Sequence, residues 1–304
     1  MKKLTIDAIN SAVIDSSLDF IKQCEQSFKK RLQEIADDIC KTDGRVLVML
    51  AGPSSSGKTT TANILKKNIK ECGRHASVIS LDDFYLDQGN RFTFEDGTVD
   101  YETVKALDTE LITSCLTQII YTGKTKLPHF SFMTKRREDY SNFSVSDDEV
   151  IIIEGLHALN PVITDPLDGQ NMKKLYISVS SRIYDKNGEV LLSKRDIRFI
   201  RRLIRDYHFR DSSAENTFYL WKGVRMGEDR YLFPFSSRAD IKIDSIHLYE
   251  SCVFRDMAME LLGHIGEESE YYKQACLLKE KLTGFVGLSE GDVPDGSLLK
   301  EFIG

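Results

Sequence analysis

Apolar residues recur at steps of three and four through residues 16–41, where Leu18, Ile21, Cys24, Phe28, Leu32, Ile35 and Ile39 alternate with charges. This spacing predicts an amphipathic helix packed on whatever follows. After the turn signal Asp43-Gly44 the pattern changes. Short strand-like runs at 46–51, 76–81, 150–154, 175–179 and 241–244 alternate with helix-compatible stretches, which predicts an α/β fold with a parallel sheet and helices on both faces. Val150-Ile151-Ile152-Ile153 has no polar alternation, as a central strand covered on both sides requires. Ligands in such folds sit at the carboxyl ends of the strands.

Residues 84–149, between the second and third strands, exceed what a crossover needs. They hold Phe92, Phe94, Tyr101, Phe130 and Phe132, with 107–120 as the one clear helix, and read as a functional, ligand-binding insertion. Beyond Ala239 the chain turns helical again through 248–265 and 271–282, then ends in a looser stretch and a short apolar tail. The expected organisation is an N-terminal helical extension (1–44), a central α/β domain (45–245) and a C-terminal helical extension (246–304). The flanking helices either cover the core or form an interface in a homo-oligomer.

Composition changes this picture little. A chain of 304 residues with 41% hydrophobic content buries a full core, and a net charge of −6 argues against nonspecific nucleic-acid binding by the whole surface. Six cysteines without a C-x-x-C pair suggest neither a zinc site nor a disulfide framework, and are expected reduced and mostly buried. Asp7, Asn10 and Asp15 interrupt any apolar signal region after Met1-Lys2-Lys3, and no window is apolar enough for a membrane span. The expected location is cytoplasmic.

The candidate chemistry begins at Gly52-Pro53-Ser54-Ser55-Ser56-Gly57-Lys58-Thr59, which fits G-x-x-x-x-G-K-[ST] between the first strand and a helix opening at Thr60. Such a loop turns backbone N–H groups toward phosphates, its lysine neutralises β/γ oxygens and its threonine hydroxyl faces Mg²⁺. These residues, with Thr60 beside them, predict a P-loop NTPase that binds ATP with Mg²⁺. Asp82 and Asp83 follow the second strand. Asp82 is placed to take the proton of an attacking hydroxyl, while Asp83 serves equally well as a cap. Glu154 ends the third apolar strand, the slot for a metal-orienting carboxylate. The adjacent His157 is assigned no role. Along 194–212, Arg198, Arg202 and Arg205 fall at i, i+4 and i+7, and read as a phosphate-clamping lid or, more plainly, as a solvated basic face. There is no N-K-x-D guanine-reading motif.

Together the loop, Leu81-Asp82-Asp83-Phe84-Tyr85, Val99-Asp100-Tyr101 with Ala106-Leu107-Asp108, Leu127-Pro128-His129-Phe130-Ser131-Phe132, Ile153-Glu154-Gly155 and Arg201-Arg202-Leu203-Ile204-Arg205-Asp206 resemble the uridine kinase/phosphoribulokinase family over about residues 45–245. Within it, Trp221, Gly227-Glu228, Phe233-Pro234-Phe235, Ala239-Asp240 and the final residues 297–304 are similar to a bacterial uridine kinase-like branch. That branch is related to nucleoside kinases carrying a threonyl-tRNA-synthetase-type amino-terminal region, a region not found in this sequence. The resemblance implies Asp82 as general base, Tyr85 near the acceptor, Asp100 on the ribose hydroxyls and Phe130 against the base. It also implies Arg202, Arg205 and Arg210 on the ATP phosphates.

One departure bears on the acceptor. Where uridine and cytidine kinases carry a histidine that reads the pyrimidine edge, this sequence has Lys135, followed by Arg136 and Arg137. A lysine donates to a carbonyl but accepts nothing from an amine, so uracil-like bases fit better than cytosine. The same three cations suit an acceptor that already carries phosphate, or form a solvated loop. The leading expectation is a kinase for the 5′-hydroxyl of a small-molecule ribonucleoside, uridine first. The alternatives are a sugar-phosphate kinase and a nucleotide-binding regulator with little catalysis.

Overall fold

The computed structural model describes residues 4–87, 92–100, 102–131 and 133–304; Met1-Lys2-Lys3, Tyr101 and Phe132 lie outside the described residues. In chain order the elements are α1 (Ile6–Cys40), β1 (Val46–Ala51), α2 (Lys58–Glu71), β2 (His75–Ser80), α3 (Thr109–Thr122), β3 (Lys124–Ser131), β4 (Arg136–Ser144), β5 (Glu149–Glu154), α4 (Pro161–Thr164), β6 (Met172–Ser178), β7 (Ile183–Tyr184), β8 (Val190–Leu192), α5 (Lys194–Arg210), α6 (Ala214–Tyr231), β9 (Ile241–Asp244), α7 (Glu250–Gly263), α8 (Tyr272–Thr283) and α9 (Lys300–Ile303).

The central sheet runs β2-β5-β1-β6-β9, every pair parallel. Because side chains alternate along a strand, β1 feeds two cores. Val46, Val48 and Leu50 pack with Ile35, Leu65 and Leu203 on one face. Leu47, Met49 and Ala51 pack with Ile112, Leu116 and Ile119 of α3 on the other. The order reverses around β1, so the loops after β1, β2 and β5 meet at one edge of the sheet.

The flanking helices cover the core. Leu32, Ile35 and Ile39 of α1 join the same cluster as Phe254 of α7 and Leu298, Leu299 and Phe302 near the C terminus. The first helix is longer than its apolar stripe. It starts at Ile6 behind a Thr5 cap and breaks at Ser16 (φ −165°, ψ 96°), whose hydroxyl donates to Asp19. Leu18, just past the break, is 66% exposed and is not part of the packed stripe. The cysteines also differ from expectation: all six are free, but only Cys115 and Cys252 are buried.

Two elements of the insertion and its sequel carry little sequence signal. Strand β4 pairs antiparallel with β3, but Arg136–Ser144 is mostly exposed and has no apolar alternation to betray it. Helix α6 buries Phe218, Trp221 and Val224 against Phe199 of α5, with polar residues between them. Among the described residues no helix is long and apolar enough to cross a membrane.

Candidate active site

The glycines of the loop answer to space and conformation. A Cβ on Gly52 would collide with the Ile177 carbonyl oxygen on β6, and Gly57 caps α2 at φ +86°, where a side chain strains the backbone. Ser55 (φ 57°) shares the left-handed turn. Buried Ser55 and Ser56 hydroxyls have no hydrogen-bond partner among the described residues, and such orphaned donors suit phosphate oxygens. Lys58 turns its ammonium back to the Pro53 carbonyl at 3.2 Å. Pro53 itself has no N–H to offer.

Ser54 is held from three sides. Its N–H donates to Glu228 Oε1 (2.8 Å), its carbonyl accepts from Arg198 Nε (2.9 Å) and its hydroxyl accepts from Arg202 Nη1 (2.8 Å). Arg198 and Glu228 pair with each other, both buried, and the Arg198 guanidinium lies over the Trp221 ring. The Ser54 N–H is therefore spent on α6, a correction to the expectation that this residue binds phosphate through its backbone.

Helix α5 is packed into the core and does not stand free above the loop. Ile197, Phe199, Ile200, Leu203 and Ile204 are buried, and Arg201, 0% exposed, pairs with Glu250 while its Nη1 reaches the Ser55 carbonyl at 3.3 Å. The helix is fastened to the very loop that a lid would close over. Arg202, Arg205 and Arg210 converge on the buried carboxylate of Asp206, at 3.1, 2.8 and 3.5 Å. Asp206 thus gathers three cations beside the loop, and Arg202 also reaches the loop itself.

Across the cleft, Asp82 is exposed in a short turn (Leu81–Phe84) capped by Ser80. Although the residue has solvent-accessible surface, partial loss of hydration of its carboxyl raises the pKa above the usual range, with Lys58 and Arg210 opposing and Asp83 adding to the shift. Asp83 is engaged elsewhere than in a cap: it accepts from the Phe130 N–H (3.4 Å) and faces His129 Nδ1 (3.2 Å), tying β3 to the strand end. Tyr85 stands near Asp82 and Glu102, and burial followed by those two charges holds its hydroxyl well above its ordinary value. Phe130 is 3% exposed and tilted on Tyr85 at 5.6 Å, so it backs Tyr85 and has no open face for a base.

Asp100 is engaged. One oxygen accepts from the Glu102 N–H (3.2 Å) and the other from the Tyr231 hydroxyl (2.6 Å), so it is not the open diol acceptor expected of it. The carboxylate left in the cleft is that of Glu102, which sequence reasoning passed over. Burial, then Glu228, push its carboxyl up to about 7, against Arg202 and Lys58. Two carboxylates in Asp100-Tyr101-Glu102 were the available signal. Only the tertiary contact with Tyr231, 131 residues away, decides which stays in the cleft. His157 supports this turn by bonding the Glu102 carbonyl at 2.9 Å, and burial lowers its pKa to about 4, which keeps the ring neutral.

The three-cation loop separates. Arg137 bonds Asp108 (3.3 Å), the Tyr140 hydroxyl (3.2 Å) and the Tyr85 carbonyl (3.3 Å), so it braces the insertion. Lys135 sits exposed in the β3–β4 turn at φ 57°. Arg136 is exposed beside it.

The residues fit a magnesium ion. Thr59 Oγ1 lies 3.4 Å and Ser80 Oγ 3.1 Å from Glu154 Oε1, an all-oxygen set at the strand ends. Mg²⁺ needs one or two carboxylates plus substrate phosphates, and no group of three or more metal-binding side chains occurs among the described residues. Burial raises the Glu154 carboxyl, with Lys58 opposing and Asp82 adding.

Known proteins resemble the chain over this same region. Residues 47–250 match the model of the Phosphoribulokinase / Uridine kinase family. The chain is 27% identical over 204 residues to the uridine kinase of Ureaplasma parvum serovar 3, covering 66% of this chain and 89% of that one. It is 29% identical over 201 residues to the uridine kinase of Staphylococcus aureus (strain JH9), covering 65% and 86%. Among solved structures, one described as "a Possible Uridine Kinase from Bacillus stearothermophilus" overlaps 70% of this chain and 100% of its own at 22% identity and a TM-score of 0.46. The family implies ATP as phosphoryl donor, usually with Mg²⁺. The chain belongs to the phosphoribulokinase/uridine kinase family and is an ATP-dependent phosphotransferase.

Proposed function

We propose that the chain transfers the γ-phosphoryl group of ATP to the 5′-hydroxyl of a ribonucleoside, with uridine the first acceptor. The observation that supports this reading is the proximity of Asp82, Tyr85 and Glu102 to one another and to cations of the phosphate loop and α5: Lys58 acts on both carboxylates and Arg202 on Glu102, so hydroxyl-binding groups adjoin phosphate-binding ones. Asp82 takes the proton of the attacking hydroxyl, the oxygen bonds to the γ-phosphorus, and the β–γ bridging oxygen leaves with ADP. Lys58, Arg202, Arg205 and Arg210 offset the charge spread over the phosphoryl oxygens. Thr59 and Glu154 would hold Mg²⁺, which supplies charge neutralisation at the phosphates when bound.

Glu102 accepts from ribose hydroxyls in this reading, and Lys135 donates to a base carbonyl. The Arg137 contacts weigh against a sugar-phosphate acceptor, because that guanidinium already serves Asp108 and Tyr85. A coupled ADP-release assay with Mg-ATP and uridine, cytidine, adenosine, guanosine or ribulose 5-phosphate tests the assignment. Turnover led by uridine is expected; turnover led by ribulose 5-phosphate would move the protein to the sugar-phosphate class.

Glu102 makes a separate prediction. Glu102→Gln should raise KM for the acceptor about tenfold or more, with a smaller change in kcat, since a charged acceptor of hydroxyl protons is lost. In the unchanged protein KM should climb as pH falls below about 7, where the carboxylate protonates, and the variant should lack that climb. Stability moves the other way. The folded-state pKa lies above the unfolded one, so ionising Glu102 costs the folded protein nothing below the unfolded pKa and most above about 7. The unliganded variant should therefore melt higher than the parent at alkaline pH, by an increment that shrinks toward acid. Equal melting curves and an unaltered acceptor KM would remove Glu102 from the site.

A further inference from the structure

The C-terminal segment has no task in phosphoryl transfer, yet it lies on the phosphate loop. Leu298 packs so closely over Gly57 that a Cβ there would collide with Leu298 Cδ1. Phe302 is buried under the Arg201 guanidinium at 5.2 Å, and the Ser297 hydroxyl donates to buried Glu25 at 2.5 Å. From this anchored segment the half-buried Glu301 reaches α2. Its Oε2 accepts both the Thr60 N–H, at 3.3 Å, and the Thr60 hydroxyl, at 2.6 Å.

The Thr60 N–H lies in the first turn of a fourteen-residue helix, where amide donors have no partner within the helix and the dipole favours a negative charge. In a loop of this type such donors cradle the α- and β-phosphates. Glu301 thus supplies an anion where a nucleotide would place its own. A carboxylate and a phosphate cannot share two donors on one residue, and their like charges repel at this distance.

We infer that Glu301 is a built-in competitor for the nucleotide: its carboxylate occupies Thr60 in the unliganded protein and must leave, loosening the α9 end, before a phosphate can bind. This inference rests on the nucleotide reading of the loop. A tethered carboxylate competes at high effective concentration without any second molecule, and it lowers the apparent nucleotide affinity by the fraction of molecules in which Thr60 is free. Leu298, Leu299 and Phe302 keep their side chains in the core, so release is confined to the Glu301 side chain and the backbone hydrogen bonds of α9 beside it.

Two substitutions separate charge from contact. Glu301→Gln keeps the shape and removes the charge; Glu301→Ala removes both. Calorimetric titration with Mg-ADP and Mg-ATP should show tighter binding than the parent, by about tenfold for the alanine variant and less for the glutamine, about 1.4 kcal/mol at the tenfold level. In the unsubstituted protein, hydrogen exchange across 297–304 should quicken on adding Mg-ADP, a readout that needs no variant. Unchanged or weaker nucleotide binding in both variants, or slower exchange of the segment with Mg-ADP, would overturn the competitor and make the segment a wall of the nucleotide site. If none of the three proteins bound either nucleotide, the nucleotide reading of the loop would fall along with it.

Discussion

Replacing Asp82 with Asn should lower kcat by ~10²–10⁴-fold while leaving nucleotide affinity close to that of the parent protein. Asn is nearly isosteric, so the turn Leu81–Phe84 and its Ser80 cap remain, but the amide cannot take the proton of the attacking hydroxyl. The position also carries a pH signature. Desolvation raises the Asp82 carboxyl, so kcat of the parent should rise with pH as the base form fills, and the residual rate of the variant should lose that dependence. The Glu102 dependence falls in KM, which allows the two carboxylates to be told apart. A variant that keeps kcat within a few-fold of the parent would remove Asp82 as the base.

The second large effect is on stability. Arg201→Met should destabilise the protein by about 3–5 kcal/mol in urea unfolding, because it leaves Glu250 buried without its charge partner. Arg201 also donates to Ser245 at its hydroxyl (3.1 Å) and carbonyl (2.8 Å), and none of those groups has solvent to fall back on. Adding Glu250→Gln to Arg201→Met should restore part of the loss, since the stranded charge is then gone; the cycle isolates the pair. A loss below about 1 kcal/mol in the single variant would instead fit the solvated basic face that the spacing of the arginines also allows.

The sheet was legible because its central strands β1 and β5 hold unbroken apolar runs between turn signals, whereas β9, Ile241-Lys242-Ile243-Asp244, shows only alternation. Helix α5 was legible in extent, Lys194–Arg210, and misleading in purpose. A periodic set of arginines looks the same whether the guanidiniums face solvent or, as with Arg198 and Arg201, meet carboxylates from α6 and α7 inside the protein. The loop was legible as a local motif, but its bracing was not. Glu228 on Ser54 and Glu301 on Thr60 come from 174 and 241 residues away, and no local pattern announces such partners. The engagement of the Asp100 carboxylate has the same cause, a hydrogen bond from Tyr231 in a helix that polar residues disguise.

The most direct measurement is phosphorus NMR of Mg-ATP and uridine incubated with the protein, run beside Asp82→Asn. A phosphomonoester resonance coupled to the two 5′ protons should grow, matched by ADP, and should be nearly absent with the variant. Conversion of ATP to ADP and inorganic phosphate alone, or no conversion with uridine while another alcohol is phosphorylated, would contradict the proposed transfer.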